Sequence, residues 1–114
     1  MGYTHYWKHD NIPEKAWEAI TKDARRIVAA RSDILAYEYD TPLPPVIDKD
    51  QIQFNGRDEN GHETFRLTRT GVSFEFCKTA RKPYDEAVTA VLLSAQAHAG
   101  VEVSSDGDMN GDAW

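Results

Sequence analysis

The stretch VSFEFCKTARKPYDEAVTAVLLSAQAHAG, Val72 to Gly100, decides the fold. In its first seven residues Val72, Phe74 and Phe76 alternate with polar neighbours, the two-residue period of a strand with one apolar face. Pro83 then opens a helix in which Tyr84, Val88, Val91, Leu92 and Ala95 recur at three- and four-residue steps. Gly100 stops that helix, and His98 in its last turn suits the negative end of the dipole. A strand that runs straight into an amphipathic helix needs a sheet for the helix to cover.

Upstream, Arg69-Thr70-Gly71 reads as a tight turn, preceded by two short strands, Gln51 to Asn55 and Glu63 to Thr68. Their inward faces carry Ile52, Phe54, Phe65 and Leu67, and Asp58-Glu59-Asn60-Gly61 supplies the turn between them, with Gly61 free to take positive φ. Together with Val72 to Lys78 they predict a three-stranded meander. The three prolines of Thr41-Pro42-Leu43-Pro44-Pro45 remove amide donors and predict an extended loop.

Nearer the N-terminus, Leu35, Tyr37 and Tyr39 alternate as a strand, and Tyr3 to Lys8 alternates as the first strand. Between them Asn11, Pro13 and Glu14 mark a helix start, and Trp17, Ile20, Ala24, Ile27 and Val28 give its packed stripe. Val101 to Ser104 adds a last strand. The expectation is a single α+β domain over residues 1–104: a mostly antiparallel sheet of five or six short strands, with two amphipathic helices packed on one face, in the order β-α-β-β-β-β-α-β. Residues 105–114 read as an acidic Gly/Asp-rich tail. The sheet face away from the helices is expected to carry Thr4, Tyr6, Thr64, Arg66, Thr68, Ser73 and Glu75.

The 114 residues carry a formal charge of −6, which repels a phosphate backbone and disfavours general nucleic-acid binding. The lone Cys77 excludes an intrachain disulfide, and no apolar run approaches the roughly 18 residues of a membrane span. The polar, aromatic start MGYTHYWKHD lacks the apolar run of an export signal, so a cytoplasmic protein is expected.

Against that acidic background, Lys78, Arg81 and Lys82 gather at the junction between strand and helix. A helix N-terminus presents unpaired amides and a positive dipole end, and three cations add to that field, so the junction would receive a phosphate or carboxylate. It lacks the glycines of a triphosphate-wrapping loop, and the bland alternative is a solvated turn whose cations pair with Asp85 and Glu86. Thr79 is placed to hydrogen-bond a ligand, Tyr6 or Tyr84 to stack on it, and Asn55 or Asp106 to read a polar edge. Cys77 beside Lys78 is either a thiolate nucleophile or, more in keeping with its strand, a small buried residue. His5, His9, His62 and His98 show no metal-ligand spacing, and D-G-D-x-N-G-D over 106–112 only partly matches a calcium loop, so no metal or cofactor is expected.

GYTHYW at 2–7, FNG at 54–56, ETF at 63–65, FCKTARKPYD at 76–85 and SDG at 105–107 together resemble a group of short proteins carried by bacteriophages and found in some bacterial genomes. The resemblance implies a phage or mobile-element accessory protein made in the host cytoplasm. It implies no activity, cofactor or fold.

Three functions then compete. The first is capture of an anionic small molecule, such as a nucleotide or nucleotide signal, at Lys78, Thr79, Arg81 and Lys82. The second is an acidic, protein-binding inhibitor of a host defence or nucleic-acid-binding protein. The third is a small enzyme using His5, Cys77 or Asp106, although no motif fixes a nucleophile, base and oxyanion donor and no catalytic residue is assigned. Tyr3, Tyr6, Trp7, Tyr37, Tyr39 and Trp114 exceed what one short core needs, which points either to a homodimer or to a monomer in which these aromatics form a satellite core under the proline-rich loop.

Overall fold

The computed structural model describes residues 3–38 and 43–106. They form an α+β fold with β1 (Thr4–His9), α1 (Glu14–Ala30), β2 (Leu35–Ala36), β3 (Val46–Ile47), β4 (Gln51–Gly56), β5 (Phe65–Thr68), β6 (Val72–Lys78), α2 (Asp85–Ala99) and β7 (Glu102–Ser105). Every pairing among them is antiparallel. The order of strands and helices follows the sequence reading, with β3 added where the proline-rich segment meets the edge of β4.

The strands divide into two sheets. In one, β1 lies between β6 and β7; in the other, β4 pairs with β5 and with the short β2 and β3. The expected meander of β4, β5 and β6 therefore stops at β5. The segment 69–71 carries the chain from one sheet to the other and is stitched to the start of α1: the Ile12 amide donates to the Arg69 carbonyl at 2.9 Å, and Arg69 Nε returns a bond to the Ile12 carbonyl at 2.8 Å. Asn11 is spent here too. Its side-chain oxygen accepts the Gly71 amide at 2.7 Å, so Pro13, not an Asn11 cap, precedes the first turn of α1.

Trp7 of β1 lies 5.3 Å from Phe65 of β5, ring to ring, and Phe65 lies 5.2 Å from Phe54 of β4, so aromatic packing joins the two sheets. Trp17, Ile20 and Ala24 of α1 and Val88, Val91, Leu92 and Ala95 of α2 complete one continuous core. The helices are also bonded to each other, because Asp23 Oδ2 accepts Ser94 Oγ at 2.7 Å and lies 3.1 Å from His98 Nε2. Gly100 takes φ +67° and ends α2 as its position predicted.

Two local expectations change. Gly61 is extended at φ −118°, and Asp58 is the residue with positive φ in that loop. Gly61 is required by crowding instead, since a side chain there would run into Asn55 Oδ1 and the Gly56 carbonyl. In β6, Phe74 and Phe76 point outward, 59% and 45% exposed, while Cys77 points into the core. The cause is the register with β1: Tyr6 lies opposite Phe76 and Trp7 opposite Glu75, so the inward face of β1 and that of β6 are set by Trp7 and Cys77. Tyr6 thus shares its face with Phe74 and Phe76, not with Ser73 and Glu75, and Thr4, expected on the open face, is buried. Between Trp7–Glu75 and His9–Val72, β6 carries one residue more than β1, a bulge.

Ser105 closes β7, and the Asp106 amide donates to the Thr4 carbonyl at 3.0 Å, so both belong to the folded body. The rest of the Gly/Asp-rich tail with its partial calcium-loop pattern, and Tyr39 and Trp114, lie outside the described residues. No helix among the described residues is long and apolar enough to cross a membrane, and no group of three or more His, Cys, Asp or Glu side chains among them converges to hold a metal ion.

Candidate functional site

The site is built where the start of β1, the end of β6, the start of α2 and the end of β7 meet. β1 brings Tyr3 and His5 to its inward face beside Trp7, because alternate strand residues share a face. A histidine there is wholly buried and needs polar partners. It has them on both sides: Nδ1 lies 2.6 Å from Ser105 Oγ of β7, and Nε2 lies 2.6 Å from Asp85 Oδ1 at the first turn of α2. Thr79 donates its hydroxyl to the same carboxylate oxygen at 2.5 Å, and Thr89 Oγ1 lies 3.5 Å from Nε2.

Burial opposes ionisation of Asp85, but hydrogen bonds from His5 and Thr79 and the nearby Arg81 charge outweigh it and hold the carboxyl below its ordinary range. An ionised Asp85 only accepts, which places a proton on Nε2 of His5, and Nδ1 faces the Ser105 hydroxyl, which can either donate or accept. Asp85 also suits the positive end of α2.

The turn after β6 is drawn onto this network by the Tyr3 carbonyl, which accepts the Thr79 amide at 2.8 Å and the Ala80 amide at 3.2 Å. Lys82 and Asp85 close the turn through bonds to the Thr79 and Lys82 carbonyls. The closure forces Ala80 and Arg81 into the left-handed region, at φ +53° and +56°. For residues with a Cβ this costs about 1–2 kcal/mol each. The strained backbone presents Arg81 at the surface with its guanidinium over the Tyr3 ring, 4.1 Å from the centroid.

Across the strand, Thr4 lies opposite Lys78. Its amide donates to Asp106 Oδ2 at 3.1 Å, and Asp106 Oδ1 accepts the Tyr6 hydroxyl at 3.0 Å. That bond from Tyr6 raises the Tyr6 pKa. Lys78 and Asp106 therefore flank the same residue from opposite strands.

Among the residues expected to bind a ligand, Tyr6, Lys78, Thr79, Arg81, Lys82 and Asp106 are gathered around this end of β1. Lys78, Arg81 and Asp106 are exposed, with Tyr6 and Lys82 partly so. Thr79 is wholly buried, and its hydroxyl is given to Asp85, so it shapes the site from beneath. Tyr84 is buried as well: its hydroxyl donates to the Glu63 carbonyl at 2.5 Å, burial pushes its pKa up, and its ring cannot stack on a ligand.

Asn55 does not read a ligand edge either. Its Oδ1 accepts the Gly56 and His62 amides, and its Nδ2 donates to the His62 carbonyl and Thr64 Oγ1, so the side chain clamps the 56–62 loop. That loop supports the site indirectly, through the Asn60 carbonyl that accepts the Tyr84 amide at 3.2 Å. Cys77 is no nucleophile in this environment, since burial raises its pKa to about 12.

Asp85 and Ser105 are what sequence reasoning missed. The signal for them was Tyr3–His5–Trp7 on one strand face: an inward histidine between two aromatics requires a donor and an acceptor from elsewhere in the chain. Compared with known proteins, the chain matches no family model, no curated protein and no solved structure.

Proposed function

We propose that the chain is a small accessory binding protein of the phage-carried kind, acting in the cytoplasm, that holds an anionic small molecule at the turn between β6 and α2. The observation that carries this reading is the pair of left-handed residues Ala80 and Arg81. Strained backbone persists where the surroundings over-determine it and a function uses it, and here it presents an exposed guanidinium. Arg81 makes the charge-assisted, fork-shaped contact, and Lys78 and Lys82 neutralise remaining charge. The His5–Asp85–Thr79 network keeps the turn in shape and leaves the bound anion chemically unchanged.

Thermal melting with inorganic phosphate, pyrophosphate and a panel of nucleotides tests this, because a ligand that binds only the native state raises the melting temperature by mass action. Arg81→Ala should abolish the shift. A panel with no shift, or a shift that survives Arg81→Ala, removes the assignment.

One observation favours a second reading, an enzyme. Ser105, His5 and Asp85 form a hydrogen-bonded chain with 2.6 Å on each side of the imidazole, the order of groups that activates a serine. Ser105 is buried, so that reading requires the 105–106 segment to move before a substrate can reach the hydroxyl. Labelling of Ser105 by a fluorophosphonate, lost in His5→Ala, would support it; an unlabelled native protein would leave the binding reading alone.

A further inference from the structure

The outer face of the sheet formed by β6, β1 and β7 carries three aromatic rings that lie outside the core. Tyr6 and Phe74 are 5.9 Å apart, ring to ring, and Phe76 follows 6.1 Å from Phe74. The pairing of the strands arranges this face in three rows. Tyr6 lies between Phe76 on β6 and Ser104 on β7; Thr4 lies between Lys78 and Asp106; Lys8 lies opposite Glu102. Phe74 precedes Glu75, the partner of Trp7, and so comes level with Lys8. The two flanks differ in relief. On β6 the rings of Phe74 and Phe76 stand exposed, whereas beside β7 a hollow of about 310 Å³ opens between Tyr6, Lys8, Glu102 and Ser104, with Phe74 as one wall and the intervening Trp7–Val103 pair between them.

A face with rings on one flank and a hollow on the other is complementary to a copy of itself turned by 180° about an axis along β1. That rotation keeps each row at its own level and exchanges β6 with β7. The partner's Phe74 then comes over the hollow, and the partner's Phe76 comes over Ser104. At the end of the face Lys78 meets the partner's Asp106, and Asp106 meets the partner's Lys78, so opposite charges face each other twice. Lys8 approaches the partner's Lys8 near the axis, but each has its own Glu102 3.8 Å away to offset the charge. An axis across the strands would instead set Asp106 against the partner's Glu102, and like charges disfavour it. Pairing along the edge of β6 is opposed too. The Lys78 amide donates to Glu63 Oε1 at 2.7 Å and the Lys78 carbonyl accepts the Glu63 amide at 3.2 Å, which occupies one end of that edge, and the bulge near Val72 breaks the other.

From this we infer that the outer face of β6, β1 and β7 is the contact between two copies of the chain, packed sheet on sheet about a twofold axis along β1. Sheets packed in this way lie about 10 Å apart and interdigitate their side chains, which seats Phe74 of each copy in the hollow of the other. The inference stands without the anion-binding reading. Lys78 belongs to this face by alternation with Phe76, whereas the Arg81 guanidinium lies over Tyr3, on the inward side of β1, and takes no part in the contact. Three strands spaced about 4.8 Å apart make a narrow face, so the dimer forms reversibly as concentration rises.

Sedimentation of the full chain over a range of concentrations tests this. The mass should rise from 12.9 kDa towards twice that value, and Phe74→Ala should raise the dissociation constant about ten-fold or more. Arg81→Ala should leave it unchanged, which separates this contact from the anion site. The charged corners test the axis. Lys78→Glu alone sets two acids together, Asp106→Lys alone sets two bases together, and each should weaken its own dimer; an equal mixture of the two variants restores both opposite-charge contacts and should dimerise about as well as the native chain. Circular dichroism checks the fold of Asp106→Lys, whose carboxylate serves Thr4 and Tyr6; if that variant misfolds, the exposed Phe74 still decides the question through Phe74→Ala. A mass of 12.9 kDa at every concentration, a dimer indifferent to Phe74→Ala, or a mixture no stronger than its two components would overturn the inference.

Discussion

The imidazole of His5 and the carboxylate of Asp85, 80 residues apart in the chain, meet at 2.6 Å and join the central strand of one sheet to the first turn of α2. Breaking such a bond strands a buried polar group. Asp85→Ala should cost about 2–3 kcal/mol, and a double-mutant cycle with His5→Ala should return a coupling of about 1 kcal/mol or more. Urea denaturation measures both; additive effects would show that the two side chains act separately.

Asp85 and Asp23 both ionise more readily in the folded chain than in the unfolded one. For Asp85, the bonds from His5 and Thr79 prevail over burial; for Asp23, the bond from Ser94 is the leading cause. With folded values depressed, the stability they contribute is fully present above the unfolded value of about 3.9. It is lost as pH falls through the folded values. The contribution of these two groups should thus be flat from pH 7 to about 5 and decline below about 4. An Asp85→Asn/Asp23→Asn double variant should be less stable at neutral pH and show a shallower acid decline; parallel curves would contradict this.

Strain at Ala80 is relieved by removing its Cβ. Ala80→Gly should raise stability by about 1 kcal/mol, with the gain reduced by the extra freedom of the unfolded chain. The same change should weaken ligand binding, because the turn that presents Arg81 becomes less fixed. Melting and titration of one variant report both effects.

Cys77 should resist alkylation. With the thiol pushed to about 12 and buried, iodoacetamide at pH 8 should label it only after denaturation. Rapid labelling of the native protein would mean that the β6–α2 junction opens.

Gly61→Ala should destabilise the fold by more than about 2 kcal/mol, since the new methyl meets Asn55 Oδ1 and the Gly56 carbonyl. Asn55→Ala should do comparable damage by unpairing the Gly56 and His62 amides, and hydrogen exchange at those two positions should accelerate together. Unchanged exchange would show that the loop holds without its clamp.

How much of this was legible follows from where the interactions lie. The helix around Trp17, Ile20 and Ala24, and the helix ended by Gly100, were readable because their stripes and stop are local. The hand-off from β5 to β6 was not: a turn at 69–71 looks the same whether the strands it joins pair with each other or with strands far away, and here the choice is made by Asn11 and Ile12. The outward phenylalanines of β6 were misread for a related reason, since alternation tells which residues share a face but not which face is covered. At the site, the cationic cluster Lys78, Arg81 and Lys82 was visible as a run. Asp85 and Ser105 became legible only once β1 was known to lie between β6 and β7. Thr79, Tyr84 and Asn55 were polar residues spent on holding the backbone, a use that composition does not distinguish from binding.

The position of β1 between β6 and β7 also bears on how the chain is made. Within the described residues β1 is made before either of its neighbours, β6 at 72–78 and β7 at 102–105, so it stays unpaired at least until β6 has been synthesised. Until then, the aromatic strand that carries Trp7 is exposed to chaperones and to other nascent chains. Slow decoding between the codons for β1 and those for β6 would therefore lower the yield of native protein more than the same delay placed after β6.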